Sequence, residues 1–155
     1  GSCQIVTSGY CTPSNLAPLF PGNAEAASRV CAQESGGVSQ WSRTDLCKDG
    51  SSFSGGWFQI NIIAHANRIP GCAGAFAVYG RGTQGSCLDR RTSSNGIRYC
   101  AVRNCEVVDA GKYNACRRAV EQWSVNSAIA SDLYRESGND FTPWQYSAGL
   151  CGAPY

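Results

Sequence analysis

The sequence predicts an α+β fold, mainly helical with a small antiparallel β-region, rich in disulfides and built as one domain over residues 1–155. Three observations predict it. Apolar residues recur at helical spacing in a stretch that starts at Asn23 and again around Cys116. Between them runs a polar, glycine-rich segment carrying the hairpin signal Asp49-Gly50. Ten cysteines, spread from Cys3 to Cys151, suit up to five disulfides in an oxidising compartment. A length of 155 residues allows a real core but not two independent ones. Charged residues at 15% against 43% hydrophobic disfavour disorder and coiled coil.

The first 22 residues hold Cys3, Cys11, Pro13, Pro18 and Pro21 with little periodicity, and read as an irregular arm pinned by disulfides. Asn23 is a good N-cap for a helix whose face is Ala27, Val30, Cys31 and Glu34. Ser35-Gly36-Gly37 stops it, because glycine takes the left-handed conformation that closes helices. From Val38 to Gly56 short strands flank the Asp49-Gly50 turn. Trp57-Phe58-Gln59-Ile60-Asn61-Ile62-Ile63 is mostly apolar; as a strand it would send Trp57 and Phe58 to opposite faces. A short helix follows through Asn67, broken by Pro70-Gly71. Residues 71–99 read as loops and short helical pieces. Cys116, Ala119, Val120 and Trp123 mark one amphipathic helix, and Val125, Ile129 and Leu133 a second face ending at Gly138. Pro143-Trp144-Gln145-Tyr146 is an aromatic tail tied down by Cys151, and no internal repeat occurs.

Several function classes fall away on composition. Thirteen Lys and Arg against eleven Asp and Glu leave a net charge of +2, too little for phosphate-driven binding of nucleic acid. No apolar run reaches the roughly 18 residues of a membrane-spanning helix, so no membrane partner is expected. The closest cysteines, Cys100 and Cys105, and a lone histidine do not make a zinc pattern, so neither metal nor other cofactor is expected. The lack of an initiator Met and of a hydrophobic leader fits a mature, processed chain.

Glu34 is the residue out of place. It continues an apolar stripe at the last turn of its helix, where the negative end of the helix dipole opposes a carboxylate. Burial and dipole together raise a carboxyl pKa, as a general acid working near neutral pH requires. A helix end that frays into solvent, or a pairing with Arg29 or Arg43, is the structural alternative.

The blocks around Glu34 carry a family likeness. Ala32-Gln33-Glu34-Ser35-Gly36-Gly37 and Gly55-Gly56-Trp57-Phe58-Gln59-Ile60-Asn61 resemble the lysozyme superfamily, as do Ile62-Ile63-Ala64-His65 and the Ser124-Val125-Asn126 helix running to Gly138. With Phe141-Thr142-Pro143-Trp144-Gln145-Tyr146, the likeness to microbial lysozyme-like and lytic-transglycosylase-like domains covers residues 23–67 and 124–149. It implies a lysozyme-like fold in which Glu34 protonates the glycosidic oxygen and Gln59 and Asn61 line the sugar cleft. The sheet aspartate of animal-type lysozymes has no counterpart in Ser51-Ser52-Phe53-Ser54-Gly55-Gly56, so Asp49, and after it Asp45, are the candidates for a second carboxylate. Asp49 also suits its turn for local reasons alone. An acid whose carboxyl lies about 6.5–9.5 Å from that of the proton donor, leaving room for a water, gives inversion, the favoured outcome. Assistance by a substrate N-acetyl group, with a cyclised product, needs no second acid.

His65 is expected to hydrogen-bond near the cleft or cap a helix ahead of touching substrate. Trp41, Trp57, Trp144, Tyr134 and Tyr146 could stack on sugar faces, though at least half should be core. The resemblance implies a secreted, monomeric muramidase of fungal or other microbial type that cleaves β-1,4 bonds of bacterial peptidoglycan. A cell-wall-binding domain in a longer precursor would suit it. The alternatives are a β-1,4-mannanase or chitinase of the same fold, and a carbohydrate-binding protein without catalysis.

Overall fold

The computed structural model describes residues 3–155; Gly1 and Ser2, the start of the predicted arm, lie outside the described residues. Among the described residues the fold is α+β, with five α-helices, short antiparallel strand pairs and five disulfides. The chain divides into two compact units: one runs to Gln40 and takes in 56–60 and 121–155, the other comprises 41–55 and 61–120.

The first unit holds helices α1 (Pro13–Leu16), α2 (Ala24–Ser35), α4 (Trp123–Glu136) and α5 (Gln145–Cys151). The arm is pinned as expected, by Cys11–Cys31 to α2 and by Cys3–Cys151 to the end of α5. The buried Ser28 hydroxyl reinforces it, accepting from Val6 N–H at 2.9 Å and donating to Cys11 O at 2.7 Å. Ala27, Val30 and Cys31 are buried on α2, and Gly36 closes the helix at φ 71°. Asn23 stands at the N-cap position without making the side-chain cap. Its amide donates instead to the buried Tyr134 hydroxyl at 2.8 Å, whose oxygen accepts there while its O–H donates to Pro21 O at 2.8 Å.

An aromatic cluster of Phe20, Phe58, Tyr134, Phe141 and Trp144 fills this core. The expected strand through Trp57 and Phe58 is a tight turn over 56–59, with Gly56 at φ 81° and Gln59 at φ 48°. Two left-handed residues abolish strand alternation, so both rings are buried. Side chains satisfy the turn's backbone. Asn126 Oδ1 accepts from Phe58 N–H at 3.1 Å, and the Trp144 indole donates to Phe58 O at 2.8 Å. Trp123 likewise departs from expectation. It opens α4 after an extended Gln122, and its ring stacks on Tyr10 with centroids 4.8 Å apart.

The second unit contains the expected β-region around Asp49-Gly50, as isolated bridges Trp41↔Gly55 and Leu46↔Ser52. Strand β1 (Ser54–Gly55) follows, and β2 (Ile60–Asn61) straddles the unit boundary. Two strands lie wholly within 71–99, where loops and helical pieces are expected, and each pairs with a strand further along the chain. Strand β3 (Phe76–Val78) pairs antiparallel with β6 (Cys105–Val107), and β4 (Cys87–Thr92) with β5 (Arg98–Arg103). Helix α3 (Ala110–Val120) buries Tyr113, Cys116, Ala119 and Val120. Disulfides Cys47–Cys105, Cys72–Cys116 and Cys87–Cys100 all stay within this unit.

Candidate functional site

Glu34 sits in the last turn of α2, half-buried, one residue before the end of the helix. Its carboxyl is not left to solvent. Oε2 accepts a hydrogen bond from the hydroxyl of Ser147, a buried residue of α5. A hydroxyl can donate to a carboxylate or accept from a carboxylic acid, so Ser147 can serve either protonation state of Glu34. Ser147 carries no motif of its own. Only its position three residues after Trp144 in the C-terminal block links it to Glu34, and the sequence reading misses it.

The backbone beyond Glu34 is held by two glutamines. Gln40 Nε2 donates to Ser35 O at 2.6 Å, and Gln40 O accepts from Gly56 N–H at 2.9 Å and from Gln59 Nε2 at 2.8 Å. Gln59 Nε2 also reaches Gly56 O at 2.9 Å, so its amide group clamps the turn. This gives the Gly-x-x-Gln spacing a cause: the glutamine folds back on its own turn and ties that turn to the segment leaving α2.

In the second unit the two candidate acids differ. Asp49 is exposed and commits both oxygens to backbone, Oδ1 accepting from Ser51 N–H at 3.0 Å and Oδ2 from Val107 N–H at 2.9 Å. Partial burial pushes its pKa up, but these hydrogen bonds to the charged form outweigh it and hold the carboxyl below its ordinary value. Asp45 is half-buried and accepts one hydroxyl, from Ser54 at 2.7 Å on Oδ2. With Asn61, Tyr99 and Arg103 it lines a cavity of about 240 Å³. Asn61 Oδ1 accepts from Ile63 and Ala64 N–H at 3.1 and 2.9 Å, fixing the side chain at that cavity. The structure therefore brings Asp45 and Asn61 together, where the sequence alone favours Asp49. His65 stands half-buried ahead of a 3-10 turn, Ala66–Arg68, without a side-chain cap bond to it.

The aromatic candidates separate by burial. Tyr134 has 0% exposure and offers no ring face to a ligand. Trp57, at 8%, packs edge-on against Tyr10 and Trp123. Trp144 is buried, while Tyr146 stays exposed. Trp41 is half-buried and lies against Gly55, where a Cβ would come within 2.6 Å of the indole ring; the first glycine of the Gly55-Gly56 pair is needed for that approach.

No family model, curated protein or solved structure matches this chain. Among the described residues no group of three or more His, Cys, Asp or Glu could hold a metal ion, and all ten cysteines are in disulfides. Among them, too, no helix is long and apolar enough to cross a membrane.

Proposed function

We propose that this protein is a glycoside hydrolase with a lysozyme-like fold, a muramidase that cleaves β-1,4 bonds of bacterial peptidoglycan with Glu34 as general acid. The observation that carries the reading is the half-buried Glu34 carboxyl at the end of α2, held by the buried Ser147 hydroxyl. A carboxyl so placed has its orientation fixed and its water shell reduced, and both are conditions for donating a proton to a leaving sugar oxygen. Protonation of that oxygen breaks the glycosidic bond as positive charge develops on the sugar ring, and a water completes hydrolysis.

An inverting reaction needs a carboxylate to take that water's proton. Asp49 and Asp45 are the two candidates for this role, Asp49 with both oxygens accepting from backbone N–H groups and Asp45 with one hydroxyl, from Ser54, on Oδ2. Gln59 offers its amide oxygen and Asn61 its amide N–H groups to hydroxyl and acetamido partners, the Gln59 N–H groups and the Asn61 oxygen being engaged by backbone. Five disulfides fit an oxidising, extracellular setting, and we read the protein as a secreted monomer acting on a polysaccharide, without cofactor, nucleic acid or membrane partner.

Release of reducing ends from purified peptidoglycan, chitin and mannan, measured side by side, tests this. Peptidoglycan should be cleaved fastest. Cleavage of mannan or chitin alone would move the substrate to the other polymer, and binding without any cleavage would make this a carbohydrate-binding protein.

A further inference from the structure

The hairpin of β4 and β5 stands apart within the second unit. From Arg90 to Arg98 every residue but Ser93 is exposed, Ile97 at its tip included. Among the described residues, 88–99 make their hydrogen bonds and ion pairs within the hairpin, as between Arg91 and Asp89 and between Ile97 and Ser93. The two strands form a sheet of their own, so among the described residues the outer edge of β4 has no partner strand. A two-stranded hairpin that buries little apolar surface is only marginally stable, and such segments open locally at far less cost than the whole fold. The Cys87–Cys100 disulfide ties the strands where packing does not.

The chain has two pairs of adjacent basic residues, Arg90-Arg91 and Arg117-Arg118. The second pair is wound into the last turn of α3, with the Arg117 guanidinium against the rings of Trp41 and Tyr113. The first is extended, exposed and on the open edge. An endoprotease holds its substrate as an extended strand added to its own sheet edge, and β4 already has that form. Its arginines are within reach. Arg90 makes no ion pair among the described residues, and the exposed pair of Arg91 with Asp89, at 2.8 Å, holds Arg91 only weakly.

We propose that the Arg91–Thr92 peptide bond is a cleavage site for a serine endoprotease that cuts after paired basic residues. Water adds across the amide, leaving a carboxylate on Arg91 and an ammonium on Thr92, with no redox step. Four of the five disulfides, Cys87–Cys100 among them, join a residue before the cut to one after it, so the product is one protein of two linked chains. The cut strand pairs Arg90 with Cys100 and Arg91 with Tyr99, and Cys100 and Tyr99 line the cavity of Asp45 and Asn61, so the nick acts on a wall of that cavity. The site stands on the hairpin alone, whatever polymer the protein acts on.

Digestion of the full, disulfide-intact protein with a purified subtilisin-like endoprotease selective for paired basic residues tests it. The product should gain the mass of one water, run as one species without reductant and as two with it, and show the new N-terminus Thr92-Ser93-Ser94. Arg91→Gln should abolish this cut and Arg90→Gln should slow it, both at exposed positions where the thermal midpoint should barely move. Arg118→Gln should leave the cut unaltered. Failure to cut the folded protein, with its reduced and unfolded chain digested alongside as the control for the enzyme, would overturn the proposal. So would earlier cutting after Arg118, or cutting of folded Arg91→Gln at the unsubstituted rate.

Discussion

The two units are held together internally by different means. Nearly all of the largest fully buried side chains, among them Tyr134, Phe20, Phe58, Phe141 and Leu16, belong to the first unit, and only Ile62 and Val120 to the second. The second has three of the five disulfides and a single close aromatic pair, Phe76 with Tyr113 at 5.4 Å. Where apolar area is short, a cross-link lowers the entropy of the unfolded chain and stands in for the missing core. The first unit can thus fix the Glu34 and Ser147 side chains by packing α2 against α5, whereas the second holds Asp45 and Asn61 on short segments.

Cutting into the aromatic core should have the largest effect. Phe58→Ala removes a ring with 0% exposure that contacts Phe20 and Trp144, and should cost about 3–5 kcal/mol in urea unfolding. A loss below about 1 kcal/mol, within the range of a surface substitution, would show that the cluster is not what holds the first unit. Next comes a contrast between disulfides. Cys47→Ser with Cys105→Ser opens a link of sequence separation 58 in the thinly packed unit and should cost about 2–5 kcal/mol, with hydrogen-exchange protection lost in β6. Cys11→Ser with Cys31→Ser, of separation 20 beside the aromatic core, should cost less. The opposite order would break the contrast between the units.

The smallest effect is electrostatic. Asp49 has its native pKa below the unfolded value, so its stabilisation is fully present above the unfolded pKa and is lost as pH falls through the native one. Asp49→Asn should lower the thermal midpoint slightly near neutral pH, and the difference from the unsubstituted protein should vanish in acid. A difference that persists or grows in acid would mean that hydrogen-bond geometry, not charge, is what Asp49 supplies.

What could be read from the sequence follows the same division. Helix α2 was legible because Ala27, Val30 and Cys31 are buried at helical spacing and Gly36 ends it. The pinned arm was legible from Cys3 and Cys11. Strands β4 and β5 were not, because Arg90, Arg91 and Arg98 are exposed and Cys87–Cys100, rather than an apolar face, ties the pair. The turn over 56–59 was missed for another reason. Trp57 and Phe58 look like strand residues, and the positive φ at Gln59 depends on the tertiary bonds that Phe58 makes with Asn126 and Trp144. Within the candidate site Glu34 stands out as a charge on an apolar stripe, while Ser147 gives no signal because its partner lies 113 residues away along the chain.

Glu34→Gln, assayed for peptidoglycan cleavage alongside oligosaccharide binding, bears on the role of Glu34 more directly than any other measurement. The amide can still accept from Ser147, so the fold should survive. Turnover should fall by about 10² to 10⁴, the contribution of a positioned acid, while oligosaccharide affinity is retained. A near-normal rate in the folded variant would contradict general acid catalysis by Glu34.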